Sequence, residues 1–541
     1  MGDNRRILIA TIASMVILFA WQKWMMPPAK PRPTPAAKSE PSAAPSPTPS
    51  PAPSVGASAA PVPVPADAPE ERVVLETPEF RAEVTTRGGA LASLTLKGHK
   101  FQRDEKGNAV PIDLVRVAPG QPLPLSMVAG PDLGGTGRAA DDPAAHAPMR
   151  IASQDAKSVT FEGSVGGATV QKRIYVTGKP YELGLDLEVR APRNGTLGLV
   201  YSGYVSPDAP KPGFFSGGAV AEAVTPICRA AGKTVRAKDE AVQQVAGTPR
   251  WMGLDQHYFV SAVLPASETG ECVFERGPTA GAVESVLRIP VNGETKASFR
   301  VYSGPKQIDL LQAYARELDT AVDYGAVTNL FAFFARMLLW VMRQLEAVVA
   351  NWGVAIILLT FLVKLVLYPL TAKSMQSMNE MRKLQPEIEK LKAKHGDDRE
   401  KMNLAVMQLY REHKVNPLGG CLPMLLQMPI WFALYATLQT SVELYREPFL
   451  WIKDLTHYDP YYVLPLAMGA SSFIMQRLSP QPADNTQAKM LLYFMPVFFT
   501  FIMLKLPAGL TLYILVNNLL SIAQQQWLMR RSAAPAPAET A

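Results

Sequence analysis

Two patterns of apolar and polar residues divide this chain, and the first is an alternation. Between residues 72 and 304, short segments such as residues 181–189 alternate apolar and polar positions and are separated by Gly, Pro, Asn and Asp. A period of two is typical of strands with one buried face, and regular turn signals favour an antiparallel sandwich. We therefore predict an antiparallel β-sandwich domain over residues 71–305.

The second pattern is a series of long apolar runs in the last third of the chain. They lie at residues 352–370, 419–441, 461–477, 490–506 and 509–528. Each run falls in the range of about 17–25 residues that a membrane-spanning helix needs. We predict a five-helix core over residues 351–530 and a short tail over residues 531–541.

A sixth apolar run stands at the N-terminus. Residues 7–21 follow Arg5 and Arg6, end near Trp21 and Trp24, and lack a clear small-x-small cleavage site. These features favour an uncleaved signal anchor over residues 1–26. The predicted fold is thus multi-domain, with a polytopic α-helical membrane core of six spans joined to the β-sandwich domain.

Two linkers connect these parts. Residues 27–70 are mostly Pro, Ala and Ser, a composition that cannot bury a core and predicts an extended tether. Residues 306–350 should be helical: a polar helix over 305–323, then an amphipathic helix in the outer membrane interface. A further span at this point is disfavoured by Arg336, Arg343 and Glu346 within a short segment.

Charge sets the predicted orientation. The segment 371–417 holds ten Lys or Arg residues, whereas the segment 442–460 holds two, together with four acids. The positive-inside rule then predicts a bacterial inner-membrane protein with cytoplasmic N- and C-termini and a periplasmic β-domain. Loop charge also explains the net charge of +7, so we expect no direct, sequence-specific nucleic-acid binding.

Lys364 lies inside the run 352–370 and is the main candidate for function. A charged group in hydrocarbon is costly and usually faces a protein interior or a wet cavity. The alternative is a snorkelling lysine that reaches the interface. Gln427, Asn517 and Asn518 also lie at membrane depth, and amides there favour a shared wet surface between helices.

The basic segment between the first two core runs predicts a cytoplasmic helical hairpin over residues 373–416. Apolar positions recur at helical spacing in both halves, and residues 397–400 form an Asp-x-x-Glu capping box between them. The hairpin could be a mere connector. We favour a docking surface for a cytoplasmic partner, with five candidate basic residues: Lys383, Lys390, Lys394, Arg399 and Lys401.

Three cysteines are too few for a disulfide framework. Cys228 and Cys272 both fall in the predicted β-domain, where one disulfide or two reduced, buried thiols are equally compatible with the sequence. Cys421 starts an apolar run, and a packing role is favoured for it.

The β-domain shows little sign of chemistry. It contains no Gly-x-Ser-x-Gly elbow, metal-ligand pair or phosphate loop, so we expect no catalytic residues, no metal and no cofactor. A sugar or peptide cleft is conceivable at one polar–aromatic cluster, but a hydrogen-bonded histidine at a sandwich edge is favoured. The cluster consists of Trp251, Asp255, His257 and Tyr258.

Several strings in the membrane part resemble the YidC/Oxa/Alb family of membrane-protein insertases in its Gram-negative form. The most specific are 360–364 (TFLVK), 368–370 (YPL), 384–386 (LQP), 415–421 (VNPLGGC), 427–430 (QMPI), 459–462 (DPYY) and 524–526 (QQQ). The order of anchor, tether, β-domain, interfacial helix and core is also similar to the family's.

The resemblance implies a hydrophilic groove that is open to the cytoplasm and to lipid. Lys364 stands where the family has an arginine, Thr360 and Gln427 match groove-lining positions, and Tyr513 matches the first of a tyrosine pair. Ile514 replaces the second tyrosine, which puts an aromatic substrate contact there in doubt.

The resemblance also implies partners: nascent membrane proteins, the lipid bilayer, the Sec translocon, and ribosomes or targeting factors at the hairpin. The short tail lacks a long basic extension. A transporter is disfavoured because the sequence shows no internal repeat and no intramembrane acid. A periplasmic enzyme would need only one span, so we expect an insertase rather than an enzyme.

Overall fold

A computed structural model describes residues 69–102, 110–207, 224–238, 240–314, 316–323, 332–395, 399–413, 415, 422–478 and 486–533. The predicted anchor, nearly all of the tether, the capping-box loop at 396–398, Cys421 and the chain after residue 533 lie outside the described residues.

The described part of the β-domain contains three sheets, and every strand pairing in them is antiparallel. A three-stranded sheet comprises β1 (Arg72–Glu76), β2 (Phe80–Thr85) and β3 (Ala90–Leu96). A five-stranded sheet has the order β12-β15-β16-β9-β4, with β4 (Met127–Ala129), β9 (Gly195–Tyr204), β12 (Val242–Val245), β15 (Glu271–Arg276) and β16 (Ala282–Val291).

The largest sheet has nine strands in the order β11-β10-β13-β14-β17-β8-β7-β6-β5. Its members are β5 (Arg150–Gln154), β6 (Ser158–Val165), β7 (Ala168–Val176), β8 (Glu182–Arg190), β10 (Val224–Ala230), β11 (Lys233–Arg236), β13 (Pro249–Gln256), β14 (Phe259–Pro265) and β17 (Glu294–Pro305).

The alternation in the sequence places one face of each strand in a core shared by the three sheets. In β8, for example, Leu183, Leu185 and Leu187 are buried and belong to this core. Phe161 of the nine-stranded sheet and Leu199 of the five-stranded sheet pack in the same cluster. The predicted antiparallel β-domain is confirmed.

One charged side chain is enclosed in this core. Lys172 of β7 is fully buried, and its ammonium donates hydrogen bonds to the carbonyl oxygens of Leu125 and, at 3.5 Å, Gly88. Burial lowers the pKa of Lys172 to about 7. The lysine therefore ties the turn before β3 and the approach to β4 to the nine-stranded sheet.

The chain after β17 corrects one prediction. Residues 305–323 do not form one polar helix: α1 (Ile308–Gln312) is a single short helix, and a 3₁₀ turn follows at Leu318–Ala321. Glu317 adopts φ +58°, which no helix continues through. Leu311 and Leu318 instead belong to the same buried apolar cluster as Trp251 of the sheet, and this tertiary burial outweighs local helix propensity.

Eight further helices follow among the described residues: α2 (Ala332–Val349), α3 (Trp352–Lys383), α4 (Gln385–His395), α5 (Arg399–Glu412), α6 (Leu422–Thr440), α7 (Val463–Leu478), α8 (Thr486–Met503) and α9 (Ala508–Ala533). α3 passes Pro369 without ending, so it runs past the predicted start of the hairpin at residue 373.

Of these helices, one is long and apolar enough, within the described residues, to cross a membrane. It is the part of α3 from Trp352 to Met381. α8 contributes a shorter apolar helix, Tyr493–Met503. The six predicted spans therefore remain a prediction.

α2 carries apolar residues on two faces. Ala335, Leu338 and Met342 are buried against the core helices, and Thr437 of α6 donates a hydrogen bond to the carbonyl oxygen of Ala335 at 3.2 Å. Trp340, on the other face, is 62% exposed. The amphipathic helix in the outer membrane interface therefore remains a prediction; residues 324–331, where part of its predicted stripe falls, lie outside the described residues.

The segment between α6 and α7 docks into the β-domain. Tyr445 lies 4.6 Å from the ring of Tyr258 and 5.8 Å from that of Phe259. Lys100 donates to the backbone carbonyls of Val442 and Glu443 at 3.1 and 3.3 Å. The docked segment thus completes the edge of the β-domain's own apolar core.

This docking accounts for the polar–aromatic cluster found in the sequence. His257 follows β13, an interior strand, and its Nε2 is buried without a hydrogen-bond partner among the described residues. Burial and the neighbouring Lys306 lower the pKa of His257 to about 4. A backbone hydrogen bond with Gln439 agrees with the favoured interpretation of a hydrogen-bonded histidine, but β13 is an interior strand, so His257 does not lie on a sheet edge.

We expect the β-domain to become more stable as pH rises from 7 to 8.5. The pKa of Lys172 is near 10.5 in the unfolded chain and about 7 in the folded domain, so over this window the unfolded chain binds the proton more strongly. The free energy of unfolding therefore grows by about 1.5 kcal/mol. Pulse proteolysis in urea on the full chain measures this change. Lys172→Met should remove the slope, and the exposed Lys157→Met should keep it; an equal slope in both variants would refute the assignment.

Tyr445→Ala should loosen the docked segment without unfolding either part. Losing this buried ring should make local opening about 2 kcal/mol easier, so backbone amides around residues 257–260 should exchange about 30-fold faster. Hydrogen exchange followed by mass spectrometry on the full chain measures this. Tyr461→Ala, at an exposed tyrosine before α7, is the matched control, and similar exchange in both variants would contradict the docking.

Candidate functional site

Lys364 lies on α3 and faces α9. Its ammonium donates a 2.7 Å hydrogen bond to the hydroxyl of Ser521, and that hydroxyl donates a 2.7 Å bond to the carbonyl oxygen of Asn517. The lysine side chain is half-buried, and no carboxylate among the described residues pairs with it. A charge is therefore held between two helices by a neutral hydroxyl.

The side of α9 that faces Lys364 is a polar stripe. Tyr513, Asn517, Ser521 and Gln524 are spaced by four, four and three residues, which places them on one face of a helix. The stripe extends over eleven residues, or about 16 Å at 1.5 Å per residue. This length is more than half the thickness of a hydrocarbon core, which is about 30 Å.

α3 carries a matching stripe. Thr360, Lys364 and Thr371 are spaced by four and seven residues and so share one face. The side-chain amide of Gln524 donates to the hydroxyl of Thr371 at 3.2 Å, one to two turns beyond the Lys364–Ser521 bond. Together these residues define the α3–α9 seam: Thr360, Lys364, Thr371, Asn517, Ser521 and Gln524.

The two threonine hydroxyls satisfy their own helix first. Thr360 donates to the carbonyl oxygen of Ile356 at 2.7 Å and is almost fully buried. Thr371 donates to the carbonyl oxygen of Leu367 at 3.0 Å. Such bonds are ordinary for threonine in a helix, so the amides and the lysine give the seam its distinct polarity.

Tyr513 and Gln427 form a separate contact between α9 and α6. The Tyr513 hydroxyl is buried beside the Gln427 side chain, but it makes no hydrogen bond of standard geometry to any described residue. Gln427 itself is half-buried. This contact continues the polar face of α9 toward its N-terminal end.

Asn518 faces away from Lys364. Its amide donates to the hydroxyls of Ser471 and Ser472 on α7 at 3.1 and 2.9 Å. Seven residues later, the amide of Gln525 donates to the carbonyl oxygen of Leu478 at 2.7 Å. Of the six predicted groove residues, Asn518 therefore joins a second polar contact that fastens α9 to α7.

A crevice opens beside the seam. It has a volume of about 300 Å³ and is lined by Phe361, Lys364, Leu365, Tyr368, Leu520, Gln524 and Trp527. Lys364 and Gln524 are its only amide or charged groups, and the remaining lining is aromatic or aliphatic. The crevice between α3 and α9 is thus mostly apolar, with one charged and one amide side chain in its lining.

Sequence reasoning missed Thr371, Gln524 and Gln525 as partners in these contacts, and it did not assign Ser521 to Lys364. The missed signal was the spacing along α9, where polar residues recur every three or four positions on two faces. Their pairing with α3 and α7 depends on which helices are neighbours, which spacing in one helix cannot reveal.

Two helices, α4 and α5, lie within the residues of the predicted hairpin, whose cytoplasmic position remains a prediction. His413 Nε2, just after α5, lies 3.6 Å from a carboxylate oxygen of Glu387 near the start of α4, so the pair is antiparallel. Lys383, Lys390, Lys394 and Lys401 are exposed. Arg399 begins α5, and its side chain lies outside the described residues.

The described residues contain no group of three His, Cys, Asp or Glu side chains that could hold a metal ion. The arrangement can instead hydrate a polar group and attract a negative charge, because a lysine charge, amides and hydroxyls line one interhelical seam next to an apolar crevice. Ionisable side chains at membrane depth commonly mark substrate pathways.

Two family profiles together match nearly the whole chain after residue 71. The family profile of the 60Kd inner membrane protein matches residues 344–535, and that of the YidC periplasmic domain matches residues 72–341. The chain belongs to the YidC family. The β-domain is accordingly the family's periplasmic domain, and the helices from α3 to α9 belong to its inner-membrane part.

Two relatives bear the name membrane protein insertase YidC. The protein of Anaeromyxobacter sp. strain Fw109-5 is 61% identical and that of Anaeromyxobacter sp. strain K is 63% identical, each over 99% of both chains. A crystal structure of an active YidC insertase is similar at a TM-score of 0.37 and 20% identity, covering 86% of this chain and 94% of that one.

Proposed function

We propose that this protein inserts nascent proteins into the inner membrane by way of the α3–α9 seam. The observation that carries the proposal is the Lys364–Ser521 bond: a charge without a carboxylate partner among the described residues, on a polar stripe beside an open crevice. The relatives' name, membrane protein insertase, supports the same function.

The seam lowers the barrier to moving a polar segment through hydrocarbon. An unpaired polar group costs several kcal/mol in an apolar medium, and a charge costs more. In the seam, a short polar loop or terminus of a substrate meets hydroxyls, amides and water instead of hydrocarbon. Lys364 attracts this segment if the segment is acidic. The seam needs to hold the segment only briefly, so no nucleotide, metal or cofactor takes part.

The apolar part of the substrate follows a different surface. α8 exposes a row of aromatic and aliphatic side chains: Tyr493, Phe494, Val497, Phe498 and Phe501. A substrate helix moves along this face and along α6 while its polar segment occupies the seam. Transfer of apolar area out of water then completes insertion, because burying each CH₂ group is worth about 0.8 kcal/mol.

The proposal also includes the orientation of the chain in the membrane and its partners. Six spans, including the anchor, place the hairpin and both termini in the cytoplasm, and the exposed lysines of α4 and α5 meet the ribosome or a targeting factor there. The protein works in the lipid bilayer either alone or beside the Sec translocon. The groove residues Lys364, Thr360, Gln427, Tyr513 and Asn517 contact the substrate, and Asn518 positions α9.

Lys364→Ala should lower insertion of a substrate with an acidic leading segment about tenfold, which corresponds to about 1.4 kcal/mol in the barrier. Lys364→Arg keeps the charge and should retain at least half of the activity. Protease protection of the substrate in reconstituted proteoliposomes measures insertion. Lys505→Ala, at an exposed lysine after α8, is the control; full activity of Lys364→Ala would remove the charge from the mechanism.

Replacing Lys383, Lys390, Lys394 and Lys401 together by Glu should weaken capture of ribosome–nascent chain complexes by proteoliposomes. Charge reversal on an exposed helix pair repels a polyanion, and the loss should be steepest at low salt. Co-flotation at two ionic strengths measures capture. The fourfold Lys→Arg variant should bind normally; unchanged capture by the Glu variant would exclude the hairpin as the docking surface.

A further inference from the structure

Two cysteines of the periplasmic domain face each other across its core. Cys228 lies on β10 of the nine-stranded sheet and pairs in register with Met252, while Cys272 lies on β15 of the five-stranded sheet and pairs with Leu287. Both thiols are free and fully buried. The two cysteines thus come from different sheets but share one interior.

The sheets approach closely at this point. Cα atoms of β10 and β15 come within 8 Å of each other, whereas stacked sheets usually lie about 10 Å apart. The Cys228 and Cys272 side chains are direct neighbours. A disulfide spans Cα separations of about 4.4–6.8 Å, which lie within the range at which the two strands approach each other.

We propose that Cys228 and Cys272 form a disulfide bond that staples the nine-stranded sheet to the five-stranded sheet. The family profile of the YidC periplasmic domain covers both residues, and the periplasm is an oxidising compartment in which disulfides form and persist. The position also suits a staple, because β10 and β15 are each second from the edge of their sheet, beside β11 and β12.

The bond forms by exchange with an external disulfide, supplied by a thiol oxidase of the periplasm. One cysteine thiolate attacks the donor disulfide, and the second cysteine then displaces the donor from the mixed disulfide. Two thiol protons leave the chain, two electrons pass to the donor, and the donor is released as a dithiol. The new bond is the one between the two Sγ atoms.

Burial decides when this reaction occurs. It raises the pKa of the Cys272 thiol well above the ordinary value, as does the neighbouring Cys228, so Cys272 is almost never a thiolate in the folded domain. Because the thiolate is the reactive form, oxidation after folding is slow. The exchange therefore takes place while β15 is still open, after the domain has crossed the membrane.

Counting thiols in the full-length protein tests the proposal. Cells are quenched with an alkylating agent before lysis, and the protein is denatured and alkylated again with and without prior reduction. The chain has three cysteines, so Cys421 is an internal reference. We expect one reactive thiol without reductant and three with it; in Cys421→Ser the numbers become zero and two. Three reactive thiols in the unreduced wild type would overturn the proposal.

Stability supplies a second readout. Closing the loop between Cys228 and Cys272 with a disulfide should raise the unfolding midpoint of the β-domain by roughly 5–10 °C. Thermal pulse proteolysis of the reconstituted full chain should therefore show a drop of that size on adding reductant to wild type, and none in Cys228→Ser or Cys272→Ser. A reductant effect that is the same in wild type and in both variants would count against the staple.

Discussion

A lysine charge inside an apolar helix is the constraint on which the arrangement of the core helices depends. Ionisable groups at membrane depth are tolerated where protein or water surrounds them. Here the ammonium of Lys364 reaches the hydroxyl of Ser521, whose own proton goes to the backbone of α9. A hydroxyl stabilises the charge less than a carboxylate would, so the positive charge of Lys364 is not neutralised by a partner among the described residues.

α9 organises the core because it presents polar groups in two directions. One face meets α3 through Ser521 and Gln524, and another meets α7 through Asn518 and Gln525. Interhelical hydrogen bonds of this kind are worth about 0.6 kcal/mol each in membranes, with larger values in model peptides. The contact with α7 holds α9 in place beside the crevice.

The sequence predicted what local pattern controls and failed where tertiary contact decides. Alternation predicted the antiparallel sheets, and helical spacing predicted the two helices of the hairpin. The helix expected at 305–323 fails because Leu311 and Leu318 are buried in the same apolar cluster as Trp251. The surroundings of His257 depend on Tyr445, which lies almost 190 residues later. Lys364 could be identified from the apolar residues around it in the sequence. Its partner Ser521 could not be identified in the same way, because that requires knowing that α3 and α9 are neighbours.

Site-specific photo-cross-linking to a stalled nascent membrane protein tests the seam most directly. Probes at Phe361 and Leu520 line the crevice without replacing a polar group, and a probe at the exposed Ile474 of α7 is the reference. The account predicts that the polar leading segment of the substrate cross-links to positions 361 and 520 and not to 474. Equal labelling at all three positions, or labelling at 474 alone, would contradict it.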